Sequence, residues 1–311
     1  MTGQDFNFYP GTRIIGKWHR KQYELIRKIG SGAQGTVYLA VSDGKKMAIK
    51  LARDRASLIA EVNVLKQFEQ LQSNPLGPSL YDNDDWLYGG ETIGFCAMEY
   101  LKGTPASEAL RKRSFDWTIV FLVQLLNQLK KLHESGYIFA DLKPENLIII
   151  DPGHQIRCVD FGGATKIGRS VREYTEFYDR GYWGMGTRKA EPSYDLFACA
   201  MILIDAATGG RFERSGYPQD QLLRKVKEAS RLVPYQSIIF KALSGRYASA
   251  EEMRQALVSQ AMERQQPSTQ MRRRGVSATA KSKTNDGWVS AWLAASIMLT
   301  IYIVCVLVYT M

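Results

Sequence analysis

The chain has 311 residues and a formal net charge of +10, and its 45% hydrophobic content allows it to bury a large core. Its four cysteines are scattered without a Cys-x-x-Cys pair, and its three histidines share no metal-ligand spacing, which excludes a disulfide-built fold and a structural zinc site. The first ten residues, MTGQDFNFYP, lack the apolar run of a secretory signal peptide.

The charge is unevenly distributed along the sequence. Residues 1–55 carry eleven Lys or Arg and four acidic residues, a net charge of +7, whereas residues 56–100 carry one Lys and seven acidic residues, a net charge of −6. Residues 263–287 are basic again, with six Lys or Arg and two acidic residues. Such clusters indicate interaction partners rather than a fold.

Residues 23–52 are predicted to form three β-strands. The segments YELIRKIG, GTVYLAV and KMAIKLA are rich in apolar and β-branched residues, and an Asp-Gly pair predicts a turn before the third. Leu58, Val62 and Leu65 then follow at helical spacing. A loop rich in Asn, Pro and Gly is expected next, before another apolar strand, GFCAMEYL.

Beyond Thr104 the pattern becomes helical. The segment WTIVFLVQLLNQLKKLHESG predicts a long helix with Gly136 as its C-cap, and two short strands, LIII and IRCVDFGG, follow. From Tyr194 to about residue 264 the sequence is mostly helical. The predicted fold class is therefore α+β, with a strand-rich small lobe followed by a helical large lobe.

The C-terminal region is predicted to reach a membrane. Residues 263–287 are polar, small and basic, which is typical of a disordered linker, and residues 288–311 contain no charged residue. At 1.5 Å per residue this last segment spans roughly 36 Å, enough for a hydrocarbon core of about 30 Å. It is apolar all round and has Trp and Tyr near its ends, so we expect a single transmembrane helix rather than a buried core helix.

The stretch IGSGAQGTVY places Gly30, Gly32 and Gly35 in a G-x-G-x-x-G pattern between two predicted strands. Glycine lets the backbone turn tightly and approach a phosphate without a Cβ clash. The pattern alone also fits an ordinary hairpin. A dinucleotide-binding motif needs a helix after the glycines, whereas a strand follows here, so a phosphate-binding hairpin is favoured.

The stretch GYIFADLKPENLIII combines a carboxylate, an ammonium group and an amide in Asp141, Lys143 and Asn146. Asp160 of an Asp-Phe-Gly sequence follows Asn146 fourteen residues later. When such unlike groups converge, they can neutralise the charge that develops on a transferred phosphoryl group. These motifs therefore indicate phosphoryl transfer.

With these motifs, and with Lys50 in the sequence AIK, residues 23–262 resemble the bacterial, eukaryote-like (Hanks-type) serine/threonine protein kinases. The small size of the chain and its predicted tail anchor resemble a type of these kinases found in bacilli. The resemblance implies a bilobal protein-kinase fold plus the transmembrane helix, with ATP and Mg²⁺ as cofactors and Mn²⁺ as an alternative metal. It divides the chain into a basic extension (1–22), a kinase domain (23–262), a basic linker (263–287) and the membrane span (288–311).

The resemblance also implies roles for single residues. Asp141 would accept the proton of the substrate hydroxyl, Lys143 would steady the transferred phosphoryl group, and Thr175 in the sequence TEFY would help to seat the acceptor peptide. Asn146 and Asp160 would hold the metal ion.

Lys50 would pair with the α- and β-phosphates and would itself be held by a glutamate. Glu61 and Glu69 are the candidates, and Glu61 is preferred because Val62 and Leu65 beside it can face the core. The short spacing between Lys50 and Glu61 predicts a trimmed helix. The residues that would surround the nucleotide are the glycine-loop set Ile29, Gly30, Gly32, Gly35, Val37, Ala48 and Lys50, the hinge set Met98, Glu99 and Leu101, and Ile148.

The sequence departs from the family pattern at two places. Phe139 and Ala140 replace the usual His-Arg before Asp141; an aromatic ring can take the place of the packed histidine, but Ala140 removes the cation that receives a phosphorylated activation loop. The usual Ala-Pro-Glu is missing, which leaves Arg246 without its expected partner, whereas Asp195 resembles the aspartate that braces the catalytic loop. Neither replacement removes a group that takes part in phosphoryl transfer. The changes are therefore predicted to alter how the kinase is regulated and to leave its catalytic activity intact.

Two classes of function fit these observations. The first is an active serine/threonine kinase on the cytoplasmic face of the cell membrane. The second is a pseudokinase or membrane-tethered scaffold, and a kinase-like small-molecule phosphotransferase is the rival among enzymes. The intact Lys50, Asp141, Asn146 and Asp160 favour an active enzyme, and the sequence DLKPEN with the glycine loop favours protein acceptors with Ser or Thr hydroxyls.

The expected partners are protein substrates, the membrane and, transiently, a second copy of the chain for autophosphorylation. The basic clusters together also fit DNA, which we hypothesise stimulates the kinase, and the linker cluster fits anionic lipid, although a solvated basic face is the simpler explanation for any one cluster. These clusters are Arg13, Lys17, Arg20, Lys21, Arg27 and Lys28; Arg111, Lys112 and Arg113; and, in the linker, Arg272, Arg273, Arg274, Lys281 and Lys283.

Overall fold

The computed structural model of the protein describes residues 6–32, 34–69 and 76–265. The strands are Arg13–Ile15 (β1), Gln22–Gly32 (β2), Gly35–Ser42 (β3), Lys45–Ala52 (β4), Leu80–Tyr88 (β5), Glu91–Glu99 (β6), Thr104–Pro105 (β7), Tyr137–Ile138 (β8), Leu147–Ile150 (β9), Gln155–Cys158 (β10) and Thr165–Lys166 (β11). The α-helices are Arg55–Glu69 (α1), Ala106–Lys112 (α2), Phe115–Glu134 (α3), Pro192–Thr208 (α4), Pro218–Glu228 (α5), Gln236–Leu243 (α6) and Ala250–Gln265 (α7).

Six strands of the N-terminal half form one antiparallel sheet in the order β1-β2-β3-β4-β6-β5. Successive side chains of a strand point to opposite faces of the sheet. On β4, Ile49 and Leu51 join one apolar cluster, whereas Ala48 and Ala52 join another that contains Val62 of α1. By this alternation, Lys50 projects from the face that α1 covers.

Residues 6–22 pack with this sheet and are not a separate extension. β1 pairs with β2, and Phe6 is buried in the apolar cluster on the face opposite α1. His19 Nδ1 lies 2.6 Å from Asp82 Oδ1, and Asp84 accepts a hydrogen bond from the backbone N–H of His19 at 2.7 Å. The predicted boundary at residue 22 is therefore not a domain boundary. The buried carboxylates of β5 need the hydrogen-bond donors that the N-terminal residues supply.

Only two residues separate β4 from the α1 helix, because Asp54 caps the first turn of the helix. Asp54 Oδ1 accepts the backbone N–H of Ala56 at 3.0 Å and of Ser57 at 3.3 Å. Hydrogen bonds from the Ser57 side chain and backbone lower the pKa of the Asp54 carboxyl. The helix has 15 residues, so the predicted trimming is wrong. The short spacing between Lys50 and Glu61 comes from the brief connection instead.

The helical lobe is built around α4. Every side chain from Tyr194 to Ile204 is buried, as expected for a helix that is apolar on all sides. α3 packs against α4 and α7. It ends at Glu134 with Ser135 as C-cap, so the predicted C-cap Gly136 follows one position later, where its φ of +88° continues the chain in the left-handed region.

Candidate active site

Lys50 lies in a buried charge cluster between the two lobes. Its Nζ is 2.6 Å from Glu61 Oε2 on α1 and 3.0 Å from Asp160 Oδ1, which follows β10. Only 4% of Lys50 and 3% of Glu61 is exposed to solvent. Glu61, the glutamate that the sequence analysis prefers, thus contacts Lys50.

The charges in this cluster stabilise one another. Burial by itself lowers the pKa of Lys50, but the carboxylates of Glu61 and Asp160 outweigh burial and raise it above the usual lysine value. Burial raises the pKa of Glu61, and Lys50 opposes this effect. Burial would also raise the pKa of Asp160, but Lys50 and a backbone hydrogen bond lower it. The cluster therefore holds one ammonium group between two acids.

Three polar side chains converge on Asp141 in the loop between β8 and β9. Lys143 Nζ donates to Asp141 Oδ2 at 2.7 Å, and Asn146 Nδ2 donates to the Asp141 carbonyl oxygen at 2.8 Å. The Thr175 hydroxyl donates to Asp141 Oδ1 at 2.8 Å and accepts from Lys143 Nζ at 2.8 Å. A hydroxyl group thus lies within hydrogen-bond reach of a carboxylate that could take its proton.

Asp195 on α4 holds the backbone of this loop. It is fully buried and accepts the N–H groups of Phe139 at 2.8 Å and Ala140 at 2.9 Å. His133 Nε2 lies 2.9 Å from the same carboxylate. Ala140 has a φ of +69°, a left-handed conformation that costs a non-glycine residue roughly 1–2 kcal/mol. The bonds to Asp195 therefore maintain a strained loop next to Asp141.

Phe139 packs where the family pattern has histidine. Its ring is buried and lies 5.2 Å from the ring of Phe161, in an edge-on arrangement. Phe161 in turn lies 6.0 Å from the ring of Phe68 on α1. Such edge-on aromatic pairs are favourable beyond the apolar area that they bury. This row of rings connects the catalytic loop to the helix that carries Glu61.

The predicted nucleotide-contact residues fall into two groups. Ile29, Val37, Ala48 and Met98 lie in one apolar cluster on the α1 side of the sheet. Ile148 lies on β9 of the helical lobe, where it pairs with Arg157 of β10. Leu101 is buried just beyond the end of β6. The sheet thus supplies one apolar wall, and Ile148 comes from the helical lobe.

Glu99 has a bracing role that the sequence analysis did not predict. Arg157 donates to both of its carboxylate oxygens at 3.0 Å, and the Glu99 backbone N–H donates to the Ser79 carbonyl oxygen at 2.8 Å. A bidentate Arg–carboxylate pair fixes geometry as well as charge. The side chain of Glu99 therefore ties β6 to the helical lobe.

The glycine-rich turn joins β2 to β3. Gly30 pairs with Val37, and Gly32 pairs with Gly35. A Cβ on Gly35 would lie 2.1 Å from the Leu51 carbonyl oxygen, and its φ is +139°, so a side chain there would clash with β4. A Cβ on Gly32 would meet no atom within 4 Å. The turn therefore combines close packing on β4 with open space at its tip.

Gln34 in the glycine-rich turn contacts the centre of the site. Its Oε1 accepts a hydrogen bond from Lys50 Nζ at 3.2 Å, and its Nε2 donates to the Glu173 carboxylate. Its side chain also occupies the space that a Cβ on Gly162 would need. Neither Gln34 nor Glu173 belongs to the predicted site, because the two segments meet only in the folded chain.

Two charged residues hold the segment after Thr175 in place of the missing Ala-Pro-Glu. Asp179 is fully buried and pairs with Arg188 at 2.7 Å, while Arg180 pairs with Glu191 at 2.7 Å. Arg246, whose partner the sequence left open, is exposed and forms no salt bridge with a residue in the described ranges. The segment 179–191 is therefore held by ion pairs between its own residues.

Asn146 and Asp160 are adjacent in the structure because the Val159 backbone N–H donates to the Asn146 carbonyl oxygen at 3.0 Å. Over residues 6–32, 34–69 and 76–265, no group of three or more His, Cys, Asp or Glu side chains could hold a metal ion. Mg²⁺ requires only one or two protein ligands and keeps several waters. An Asp and Asn pair therefore fits Mg²⁺ better than a metal that needs a full protein cage.

The predicted membrane span is not part of the described structure. None of the helices in the described ranges is long and apolar enough to cross a membrane. The predicted transmembrane helix, 288–311, and residues 266–287 of the predicted linker lie outside those ranges.

Comparisons with known proteins agree with this geometry. The protein kinase domain family matches residues 23–270. Over 272 residues the chain is 46% identical to the serine/threonine-protein kinase YabT of Bacillus subtilis (strain 168), which covers 86% of this chain and 80% of the Bacillus protein. Over 270 residues it is 27% identical to serine/threonine-protein kinase D of Synechocystis sp., which covers 76% of this chain and 52% of that protein.

A solved structure of vaccinia related kinase 3 is also similar. The TM-score is 0.62 at 17% identity, and the match covers 83% of this chain and 92% of that chain. At this identity the likeness concerns the fold alone.

Proposed function

Because this chain belongs to the protein kinase family and is a bacterial serine/threonine protein kinase of the YabT type, we propose that it uses ATP and Mg²⁺ to phosphorylate Ser and Thr hydroxyls of cytoplasmic proteins and of itself. The predicted family and the fold with a strand-rich and a helical lobe are confirmed. The observation that carries the proposal is the Thr175 hydroxyl, which is hydrogen-bonded to both Asp141 and Lys143.

In this proposal the substrate hydroxyl takes a position close to that of the Thr175 hydroxyl. Asp141 accepts its proton, and Lys143 donates a hydrogen bond to the transferred phosphoryl group. Lys50, held by Glu61, orients the α- and β-phosphates. Gln34 must then release Lys50 Nζ, because a phosphate oxygen competes for the same ammonium group.

Asp160 and Asn146 would hold Mg²⁺. When bound, the ion would neutralise charge on the nucleotide phosphates. The lowered pKa of Asp160 supports this role, since a metal ligand must be ionised. The adenine ring would lie against the apolar wall that contains Ala48 and Met98.

The test is phosphate transfer by the purified chain from labelled ATP in the presence of Mg²⁺, with Asp141→Asn as control. We expect label on the chain itself and on a Ser/Thr-containing protein, and we expect no label when Mg²⁺ is chelated. Nucleotide binding without transfer would indicate a pseudokinase scaffold. Transfer only to small molecules would indicate the rival enzyme class.

We further propose that the kinase domain is held at the cytoplasmic face of the cell membrane by a single C-terminal helix, 288–311, behind the basic linker 263–287. Basic residues that flank a span stay on the cytoplasmic side, and Arg272, Arg273 and Arg274 precede this one. The uncharged 24-residue segment is long enough to cross the bilayer.

A chain cut after Gly287 should leave the membrane fraction, because it loses the whole apolar segment. The measurement is fractionation of the full chain and of the 1–287 fragment after a high-salt wash. The full chain should stay in the pellet. A fragment that remained embedded after the wash would contradict the anchor.

Finally, we propose that DNA stimulates the kinase by bringing copies together for phosphorylation in trans. Arg20, Lys21 and Arg27 are exposed in the N-terminal region, and Lys17 Nζ lies 4.7 Å from the ring of Trp18, which is 66% exposed. Cations interleaved with an exposed aromatic ring suit contact with phosphates and bases. Anionic lipid is the competing ligand for the linker, at about 1 kcal/mol per basic residue near the surface.

The activity of the 1–287 fragment should rise when duplex DNA of any sequence is added at low salt, and the rise should shrink at moderate salt as counterions compete for the phosphates. Arg20→Glu with Arg27→Glu should abolish the rise. The matched control is Arg224→Glu with Lys227→Glu, which makes the same charge change at exposed positions of α5. Binding without a change in rate would contradict the proposal.

A further inference from the structure

A cavity of about 500 Å³ opens in the helical lobe beside the catalytic loop. Its walls come from α2, from the loop between β8 and β9, from the C-terminal end of α4 and the residues after it, and from the 3-10 turn Ser230–Tyr235. Four arginines and two acidic residues line it, a net charge of +2. These six residues are Arg111, Arg113, Arg211, Arg231, Glu145 and Asp205.

Both acidic residues of the cavity already have partners within the fold. Arg211 Nη2 lies 2.6 Å from Glu145 Oε1. Asp205 accepts a hydrogen bond from the Tyr178 hydroxyl at 2.7 Å, and Arg211 Nε donates to the same hydroxyl at 3.4 Å. Arg211 therefore neutralises Glu145, and Asp205 has a hydrogen-bond donor in the neutral Tyr178 hydroxyl. With both acids counted, the lining keeps its net charge of +2, which attracts an anion.

Two of the arginines, in contrast, are available to a ligand. Arg111 and Arg231 are exposed, and neither forms a salt bridge within residues 6–32, 34–69 or 76–265. Arg113 is held by Asp151 at 3.3 Å and lies over the ring of Trp117. The mouth of the cavity thus carries two guanidinium groups with free donors, and guanidinium groups match carboxylates in a bidentate geometry.

The cavity is close to the proposed site of transfer. Glu145 in its wall is four residues from Asp141, so the Cα atoms of the two residues are at most about 14 Å apart. Tyr178, which bonds to Asp205, is three residues from Thr175. An extended peptide advances about 3.3 Å per residue. A peptide with its hydroxyl at Asp141 can therefore reach the cavity with a residue about four or five positions away.

We propose that this cavity binds an acidic side chain of the protein substrate, an Asp or Glu within about five residues of the phosphorylated Ser or Thr. The proposal rests on the proposed function and names its substrate class. The chain's own linker does not suit the cavity, because residues 263–287 carry six basic and two acidic residues and would be repelled.

The test uses the purified full chain in neutral detergent and a set of Ser-containing peptides. A neutral parent peptide carries Glu, Gln or Lys in turn at each of about five positions on either side of the serine. At one or two positions Glu should raise kcat/KM over Gln roughly 2- to 30-fold, the effect of two exposed ion pairs. Lys should lower it at the same positions. A peptide set in which Glu gives no advantage anywhere overturns the proposal.

A double variant links the preference to the cavity. Arg111→Gln with Arg231→Gln should bring the ratio of kcat/KM for Glu over Gln close to one, while the rate on the Gln peptide stays within about twofold, because neither side chain contacts the catalytic groups. The matched control, Arg224→Gln with Lys227→Gln, should keep the preference.

The outcomes separate this proposal from the proposed function. An unchanged Glu preference in the double variant, with transfer still abolished by Asp141→Asn, overturns the cavity alone. Equal autophosphorylation by the wild type and Asp141→Asn overturns the proposed function. Loss of duplex DNA binding in the double variant without a change in peptide preference would assign the cavity to a nucleic-acid surface and overturn the proposal.

Discussion

Asp141→Asn is expected to lower the rate of phosphoryl transfer about 10²- to 10⁴-fold, the usual contribution of a general base. The amide oxygen can still accept the hydrogen bonds of Lys143 and Asn146, but an amide cannot take the proton of the acceptor hydroxyl. The shape of the loop is held by Asp195, which the substitution does not touch. The measurement is kcat with saturating ATP and Mg²⁺, together with the unfolding temperature.

Asp220→Asn is a suitable control because Asp220 is exposed in the first turn of α5 and the substitution removes the same charge. It should leave kcat within about twofold, since surface substitutions rarely change a protein by more than about 0.5 kcal/mol. A wild-type rate for Asp141→Asn would show that the carboxylate is not the base and would favour the scaffold interpretation.

Lys50→Met is expected to abolish transfer and also to destabilise the fold. The substitution removes the ammonium group that lies between Glu61 and Asp160, and it leaves the Glu61 carboxylate buried. Breaking a buried ion pair lowers the free energy of unfolding by about 3–5 kcal/mol. We expect about 3 kcal/mol here, because Asp160 is partly exposed and can be hydrated. Denaturant unfolding measures this loss, and the kinase assay measures transfer.

The double variant Lys50→Met with Glu61→Gln separates the two effects. It removes the unpaired acid, so most of the free energy of unfolding should return while transfer stays absent. The single variant should also lose stability as the pH rises above the usual glutamate pKa of about 4.3, because burial raises the pKa of Glu61 and the folded state then binds a proton that the unfolded state has lost. Equal stability of the single and double variants would contradict the unpaired-acid explanation.

Local sequence was sufficient for elements whose side chains follow a regular pattern. The segments predicted as the first three strands of residues 23–52 lie in β2, β3 and β4, and the helical spacing of Leu58, Val62 and Leu65 lies in α1. In each case the spacing of the apolar residues is enough to tell a strand from a helix.

β5 was predicted wrongly for a physical reason. The sequence predicts a loop here because the region is rich in Asn, Pro and Gly, yet Leu80–Tyr88 form a strand although they include Asp82, Asp84 and Asp85, a residue type that strands disfavour. In the structure these three carboxylates are buried, and donors from the N-terminal residues satisfy them. The partners lie more than sixty residues away, so no local pattern could reveal the strand.

The sequence by itself determined which chemical groups the site contains, because Asp141, Lys143 and Asn146 lie within six residues and cannot be far apart along the chain. Only the tertiary structure showed that Glu61 and Gln34 both contact Lys50. The same holds for the cavity, whose free arginines come from α2 and from a turn more than a hundred residues later. Such contacts depend on how distant elements pack. Packing brings together side chains that lie far apart in the sequence, so no local sequence pattern predicts them.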